Sequence, residues 1–229
     1  MTLKLLDRKS NESNRNYVYR VLLDNIMRLN LEPGEGVSEI EISKLLNVSR
    51  TPVREAFIKL SEERLIDVYP QKGSFISHID LDLVHEGIFM RRIIEREVLL
   101  EAIRDFPKED LIELKKTLHF QKAIAEFDID FKEFFKLDNL FHEIIFRGCK
   151  KERIWESIQN MNVHYNRLRY LDVLEQTSID RVIKQHQSII EHIENKDDVG
   201  IDYLLGAHLT NIVPKLDYFS KKYPDYFKK

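Results

Sequence analysis

The feature that most restricts the fold is a single change in the spacing of apolar residues, directly after Leu65. Before that point, and again from about residue 82 onward, apolar residues recur at helical spacing. Between these regions, "LIDVYPQKGSFISHI" alternates apolar and polar residues around "PQKG". The alternation predicts a two-stranded hairpin in which Gly73 supplies an unusual backbone angle. With only seven glycines and six prolines in 229 residues, the sequence predicts a mainly α-helical chain that carries one short hairpin.

Three helices are predicted ahead of the hairpin. Residues 1–16 are polar and expected to be frayed, and the first helix is predicted from Tyr17. It ends at "NLEPGEGVSE", where proline and glycine break the pattern, and a second helix is predicted over Glu39–Leu46. After the short turn "NVS", a third helix directs Val53 and Phe57 toward the core. Three helices followed by a hairpin, with these turn lengths, indicate a winged helix-turn-helix.

The rest of the chain shows no further strand pattern. Breaks in the sequence separate six predicted helices, with approximate bounds 82–105, 108–127, 130–147, 151–173, 178–195 and 198–221. The predicted fold class is therefore mainly α. We expect an N-terminal winged helix-turn-helix domain at residues 1–77, followed by an all-α bundle of six to seven helices at residues 78–229.

Composition sets limits on function and location. The net charge is −3, so a nucleic-acid interface has to depend on where the cations lie rather than on their total. The single cysteine, Cys149, excludes an internal disulfide and is typical of a reducing cytoplasm. No apolar stretch approaches the ~20 residues of a membrane-spanning helix, and the N-terminal residues lack the apolar core of a secretory signal. We therefore expect a cytoplasmic protein that does not bind a membrane.

The stretch "VSRTPVREAF" opens the third helix with positive charge, although the helix dipole favours negative charge at that end. Ser49 or Thr51 can cap the helix, and Pro52 is tolerated in a first turn whose N–H groups lack intrahelical partners. Arg50 and Arg54 are four residues apart and share the face opposite the apolar side. Each cation opposes the dipole by about a few tenths of a kcal/mol, and a bound anion would reverse that cost.

This arrangement predicts a DNA interface. Two guanidinium groups and two hydroxyls project from a helix N-terminus that already attracts phosphate, and an arginine can discriminate guanine by about 1–3 kcal/mol. At the hairpin tip, Lys72 adds a cation and Gly73 permits close approach to DNA. The alternative is a pair of solvated surface arginines, but the helix-turn-helix before them and the hairpin after them favour DNA. The predicted DNA-binding residues are Ser49, Arg50, Thr51, Arg54, Lys72 and Gly73.

The same region resembles the DNA-binding domain of the GntR family of bacterial transcription regulators. The similarity runs almost continuously over "LEPGEGVSEIEISKLLNVSRTPVREAFIKLSEERLIDVYPQKGSFI", and includes the Pro-Gly-Glu turn and the Ser-Arg-Thr-Pro-Val-Arg-Glu-Ala block. The residues that the resemblance assigns to base and phosphate contacts are Ser49, Arg50, Thr51 and Arg54. The wing tip, usually Arg-Gly in the family, reads Lys72-Gly73 here, which keeps the charge but loses the bidentate fork.

A second group of residues combines histidine with carboxylate. "LDNLFHEIIF" places Asp138 and His142 at i and i+4, on one face of a helix. His186 and His208 lie on two later helices among apolar neighbours, which indicates buried positions. Neutral imidazoles with a carboxylate are suitable ligands for zinc, nickel, manganese or iron. Because eight histidines in 229 residues also produce chance pairs, spacing alone favours the more common structural role.

The helical half resembles the ligand-binding domain, often called FCD, of the FadR-like branch of this family. In its metal-binding members, an Asp-x-x-x-His on one helix joins histidines from two later helices. The ligands implied for a divalent ion, foremost zinc or nickel and otherwise manganese or iron, are Asp138, His142, His186 and His208. Such an ion can hold a small carboxylate or hydroxycarboxylate effector, and an arginine can hold a second anionic end. The candidate effector-binding residues are Arg92, Arg169 and Asn211; for Arg92 the alternative is a pair with Glu95 on a solvated face.

Together these patterns predict a transcription regulator, foremost a repressor, whose operator binding is controlled by a small organic acid at the metal site. One short helix reads too few bases alone, so we expect a homodimer on a two-fold symmetric double-stranded DNA operator. The alternatives are a metal-dependent hydrolase or isomerase that uses the same four ligands, and a DNA-binding scaffold with a structural metal. No His-Glu-x-x-His arrangement accompanies the ligands, so no catalytic residue is assigned and an enzyme is not expected.

Overall fold

A computed structural model describes residues 3–127 and 131–228 of the chain. The chain forms two compact units: the first holds the residues up to Leu81 together with those from Tyr218 onward, and the second holds Asp82–Asp217. The first elements are α1 (Asn14–Met27), β1 (Gly36–Val37), α2 (Glu39–Leu45), α3 (Arg50–Glu62), β2 (Ile66–Tyr69) and β3 (Gly73–Ile76). The elements that follow are α4 (Leu81–Arg104), α5 (Lys108–Glu126), α6 (Phe131–Gly148), α7 (Glu152–Met161), α8 (Val163–Leu174), α9 (Ile179–Asn195), α10 (Ile201–Leu209), a 3₁₀ turn (Val213–Lys215) and α11 (Leu216–Lys222).

Helix α1 begins three residues earlier than Tyr17, where the sequence predicted its start. The side chain of Ser13 accepts a hydrogen bond from a first-turn N–H and caps the helix. The segment before it is also held in place, because the buried Asn25 accepts from the backbone N–H of Lys4 at 2.8 Å and donates to its carbonyl at 2.9 Å. The expectation that residues 1–16 are frayed is therefore wrong for the described part of this segment.

The predicted hairpin is confirmed. Strands β2 and β3 pair antiparallel from Ile66 opposite Ile76 to Tyr69 opposite Gly73, and Gly73 has a φ of +113°. A third strand, β1, pairs with the other edge of β3. The sequence analysis missed β1 because two residues are too few to show an alternating pattern.

The core of the first unit lies between α1 and α3. Val18 and Leu22 of α1 and Val53 and Leu60 of α3 are fully buried, and each such side chain contributes roughly 1.5–3 kcal/mol relative to an exposed one. Packing of this face onto α1 fixes the rotation of α3 about its axis. The opposite face of α3, which begins with Arg50, is left exposed to solvent.

In its described part the second unit contains seven α-helices, α4 to α10, and no strand. This confirms the mainly α fold, but two of the predicted helices are divided. The predicted helix over 151–173 breaks at Asn162, whose side chain donates to the carbonyl of Ile158 at 2.8 Å and ends α7. The predicted helix over 198–221 breaks after Leu209, where a 3₁₀ turn contains Pro214 and precedes α11. Proline cannot donate the backbone hydrogen bond that a continuous helix needs.

The two compact units have different bounds from the domains that the sequence predicted. The final residues, from Tyr218 onward, belong with the N-terminal residues rather than with the helical bundle. The physical cause is a short parallel bridge between Ile79 and Phe227. Across the described residues, no helix is both long and apolar enough to cross a membrane.

Candidate nucleic-acid interface and metal centre

The exposed N-terminus of α3 carries the first candidate site. Ser49 occupies the N-cap position, but its side chain makes no capping hydrogen bond, so the predicted cap by this hydroxyl is wrong. No acidic residue lies in the first turn of α3, whereas α2 has Glu39 and Glu41 there. The free N–H groups and the dipole of α3 are therefore not balanced by side-chain negative charge.

Arg50 and Arg54 are exposed, and within the described ranges neither forms an ion pair or a hydrogen bond. On the same helix Val53 and Phe57 are buried, so the two arginines and the apolar side chains do face opposite ways. Thr51 is also exposed on the first turn. This leaves two guanidinium groups available to an anionic partner.

The hairpin tip provides the second part of this surface. Lys72 and Gly73 are both exposed, and the backbone N–H of Lys72 closes the turn by donating to the Tyr69 carbonyl at 3.1 Å. Below the tip, the rings of Tyr69 and Phe75 meet edge to face with their centroids 5.8 Å apart. All six predicted DNA-binding residues therefore lie exposed on the first unit.

The second candidate site is a group of three buried histidines in the second unit. His142 of α6, His186 of α9 and His208 of α10 each offer one ring nitrogen, and these three atoms lie within 4.8 Å of one another. The Nε2 atoms of His142 and His208 are 3.1 Å apart. Residues separated by 66 positions in sequence thus meet at one point in the interior.

The other ring nitrogen of each histidine faces an oxygen atom. His142 Nδ1 lies 3.0 Å from a carboxylate oxygen of Glu95, while the amide oxygens of Gln121 and Gln185 lie 2.8 Å and 3.1 Å from Nδ1 of His186 and His208. An oxygen acceptor favours the tautomer with its proton on Nδ1, which leaves a lone pair on Nε2. A proton on Nδ1 of every ring would leave three lone pairs that converge on one point, whereas the other tautomer would place a hydrogen bond between the Nε2 atoms of His142 and His208.

The protonation state and orientation of the rings fit this arrangement. Burial lowers the pKa of all three histidines, and for His142 the nearby Glu95 carboxylate opposes this effect only in part. The imidazoles are therefore neutral at physiological pH. Phe141 stacks on His186 with centroids 3.9 Å apart, and Trp155 stacks on His142 at 5.9 Å. These contacts hold the rings in fixed orientations.

Asp138 lies beside the histidines. Its Oδ2 accepts a hydrogen bond from Arg169, and its Oδ1 is 3.5 Å from His186 Nε2. That Nε2 is buried and makes no hydrogen bond to any described residue. A buried polar atom without a protein partner is costly, and either a water molecule or a cation can satisfy it. The four residues predicted to bind metal are thus brought together.

A cavity of about 40 Å³ adjoins the histidine cluster. Among its lining residues are Asp138, Arg169, His208 and Asn211, all predicted from the sequence, and also Arg91, Asp172 and Ser178. Arg92 does not reach it: this side chain is exposed and lines a separate surface groove with Phe89, Ile93 and Asp202. The predicted place of Arg92 at the cavity is therefore corrected to its neighbour, Arg91.

Arg91 is 1% exposed and forms an ion pair with Glu95. One terminal nitrogen of its guanidinium makes no hydrogen bond among the described residues. Burial raises the pKa of Glu95, but Arg91 and His142 lower it more, so the carboxylate stays ionised. The sequence did contain a signal for this residue, since Arg91 lies at helical spacing with the buried Val84 and Val98. Gln121 and Gln185 had no recognisable motif and were missed.

The fold and the exposed arginine face define a winged-helix DNA-binding protein with an attached all-α unit. The chain belongs to the gntR family of bacterial regulatory proteins, whose model matches residues 14–76, while the model of the FCD domain matches residues 86–211. This confirms the resemblance found in both halves of the sequence.

Comparisons with individual proteins agree. The chain is 32% identical over 211 residues, 92% of each protein, to the HTH-type transcriptional repressor RspR of Escherichia coli (strain K12). It is 28% identical over 192 residues to the gluconate operon transcriptional repressor of Bacillus subtilis (strain 168), covering 82% of this chain and 78% of that one. The solved structure of E. coli McbR/YncC, 20% identical, has the same fold with a TM-score of 0.74 over 90% of this chain and 98% of that one. The chain is therefore a transcription regulator that binds DNA and not an enzyme, and the hydrolase or isomerase alternative is wrong.

Proposed function

We propose that this regulator is a homodimeric repressor whose operator binding responds to a small carboxylate or hydroxycarboxylate at a divalent-metal site in the second unit. The observation that carries the proposal is the convergence of three buried ring nitrogens, with Nδ1 of His186 and His208 hydrogen-bonded to glutamine oxygens and Nδ1 of His142 lying 3.0 Å from Glu95. Lone pairs that meet at this distance repel each other unless a cation lies between them. The repressor names of two relatives support the direction of control.

The side chains fit a divalent cation. His142, His186 and His208 would bind through Nε2, and Asp138 through Oδ1 while Arg169 holds its other oxygen. Hydrogen bonds to the atoms of a ligand that do not face the ion fix the orientation of that ligand and raise metal affinity. Nitrogen-rich ligand sets favour zinc or nickel, with manganese or iron as weaker alternatives. A bound cation supplies the positive charge at which an effector carboxylate would coordinate.

The cavity wall is suited to an organic anion. Arg91 and Arg169 both line the cavity, and one terminal nitrogen of Arg91 makes no hydrogen bond among the described residues. Burial together with the charge of Arg91 lowers the pKa of Arg169. An organic anion could accept charge-assisted hydrogen bonds from these two guanidinium groups. A volume of about 40 Å³ holds only one or two water molecules, so an organic acid has to displace wall side chains. Effector binding is thereby linked to packing.

Asn211 connects the cavity to the histidines. Its Nδ2 donates at 2.6 Å to Gln185 Oε1, the same oxygen that faces His208 Nδ1. An effector that bonds to Asn211 would therefore change the hydrogen bond that orients His208. Arg92 is left out of this effector site because it is exposed in a different groove.

The operator would be held by the exposed surface of the first unit. Arg50 and Arg54 would contact bases and phosphates, with Ser49 and Thr51 hydrogen-bonding nearby and the Lys72-Gly73 tip lying along the DNA backbone. Two copies related by a two-fold axis would read two half-sites about one helical turn apart. Such a protein acts in the cytoplasm, where its operator lies.

Metal binding is tested first. We expect metal analysis and calorimetric titration of the purified protein to give one zinc or nickel ion per chain. His186→Ala should abolish this binding, whereas the matched control His85→Ala, at an exposed histidine, should bind like the wild type. Equal metal content in the His186 and His85 variants would overturn the metal site.

Effector control is tested on DNA. An operator selected in vitro from a random duplex library would be titrated with zinc-loaded protein by fluorescence anisotropy, with and without gluconate, citrate and other small hydroxy acids. We expect at least one acid to weaken binding about tenfold or more, and Arg91→Met to remove the response while leaving acid-free affinity intact. If acids bind but operator affinity never changes, the metal is structural and the switching proposal is refuted.

A further inference from the structure

Within the first unit, the C-terminal residues pair with the N-terminal part through backbone hydrogen bonds that the sequence did not predict. Ile79 donates its N–H to the Tyr226 carbonyl at 2.8 Å, and Lys228 donates its N–H to the Ile79 carbonyl at 3.0 Å. Phe219 and Phe227 are buried. This pairing fixes the final residues to the segment that joins β3 to α4.

A second contact reaches the base of the wing. Tyr226 lies close to Glu32, and burial followed by the charge of Glu32 raises the pKa of this phenol to about 12. Glu32 belongs to the turn before β1, where Gly34 donates to the Ile76 carbonyl at 2.8 Å and Ile76 donates to the Glu35 carbonyl at 2.8 Å. The final residues therefore contact the turn that carries the short strand β1 of the wing sheet.

The other end of the same segment is fixed at the cavity wall of the second unit. The Lys215 ammonium lies in the 3₁₀ turn after α10 and donates to Asp172 Oδ1 at 2.9 Å and Thr177 Oγ1 at 2.6 Å, and also to Ser178 Oγ. Asp172 and Ser178 both line the cavity beside the histidines. Lys215, itself half-buried, thus holds two buried wall residues, Asp172 and Ser178, together with the exposed Thr177.

We propose that residues 215–228, the C-terminal strap, transmit changes at the cavity wall to the linker and wing base of the DNA-binding unit. The covalent chain joins the Lys215 anchor to the Tyr226–Lys228 anchor through α11, a helix of only seven residues. When a wall residue moves, Lys215 loses its partners and the start of α11 is released. The pairing at Ile79 and Glu32 then weakens, and with it the support of the wing. That an organic acid causes this movement rests on the proposed function; the strap itself does not.

The strap is tested without any ligand by hydrogen exchange of the full-length protein in EDTA. Lys215→Met removes the cavity-side anchor, and Lys184→Met is the matched control because Lys184 is exposed on α9 with no partner among the described residues. We expect Lys215→Met to speed exchange at residues 76–80 and 223–228 about tenfold or more, and Lys184→Met to change nothing. If residues 76–80 and 223–228 of Lys215→Met exchange at the same rates as in the wild type, the strap proposal is refuted.

The opposite anchor is tested with Phe227→Ala. We expect this variant to keep the zinc affinity of the wild type by calorimetry, because the histidine helices are untouched, while its affinity for the selected operator changes at least about threefold. Unchanged zinc and operator affinities together would refute transmission through the strap. If the wild type binds no zinc, the proposed metal site is refuted. The exchange experiment and the operator titration still test whether the strap transmits changes to the DNA-binding unit.

Discussion

Acid should destabilise the second unit strongly, because its three clustered histidines are neutral when folded. Burial lowers the pKa of His186 and His208 well below the usual 6.5, and that of His142 less. For a group whose folded pKa is depressed in this way, the unfolded chain binds the proton more tightly. The stability from neutral burial is therefore complete above pH ~6.5 and falls as the pH drops below it.

The magnitude follows from proton linkage. Between pH 7.5 and 5.5 an unfolded histidine goes from about one-tenth to about nine-tenths protonated, while one that stays neutral in the folded state does not change. Each such histidine then costs up to about 1.4 kcal/mol of unfolding free energy, and the three together cost about 3–4 kcal/mol because the pKa of His142 is lowered less than the other two. This is a large share of the roughly 5–15 kcal/mol that a folded protein has.

The measurement has a built-in probe. Trp155 is the only tryptophan in the chain, is buried, and stacks on His142, so its fluorescence reports unfolding at the cluster. Urea titrations in EDTA at pH 7.5 and 5.5 would be compared for the wild type, His186→Gln and the exposed control His85→Gln. Between pH 7.5 and 5.5, the unfolding free energy of His186→Gln should fall by about 1.4 kcal/mol less than that of the wild type. For His85→Gln, the fall should equal that of the wild type. An identical loss in all three proteins would refute the assignment of neutral buried imidazoles.

Three further changes test other parts of the structure. Arg54→Gln should weaken binding to the selected operator about 5- to 150-fold and flatten its salt dependence, whereas Arg181→Gln, exposed on α9, should bind normally; equal affinities would contradict the DNA surface. Gly87→Ala would place a Cβ 2.0 Å from a buried asparagine oxygen and should lower the unfolding free energy by about 1–3 kcal/mol. Gly206→Ala, whose Cβ would meet nothing closer than 3.7 Å, is its control, and equal urea midpoints would count against the packing. Asn25→Ala removes both hydrogen bonds to the Lys4 backbone and should speed exchange of the Lys4 amide about tenfold; wild-type protection there would show that another contact holds the N-terminus.

Local sequence pattern predicted most of the DNA-binding unit. The hairpin around Gly73 and the opposed faces of α3 depend on periodicity and turn chemistry, which act between residues near in sequence. The short strand β1 and the hydrogen bonds between Asn25 and Lys4 were not predicted, because their partners are distant in sequence and their own residues show no recognisable pattern. The break at Asn162 was missed for a related reason, since a single side-chain hydrogen bond ends a helix without interrupting its apolar spacing.

For the histidine cluster, the sequence by itself determined which residue types were available and that Asp138 and His142 share a helix face. Only the tertiary structure decided that His186 and His208 meet them, that Arg91 rather than Arg92 lines the cavity, and that glutamines bind Nδ1 of His186 and His208. One residue along a helix rotates a side chain by about 100°, so the choice between neighbouring arginines depends on which face packs. Periodicity is a local property, whereas the meeting of distant helices is set by how their apolar faces bury each other.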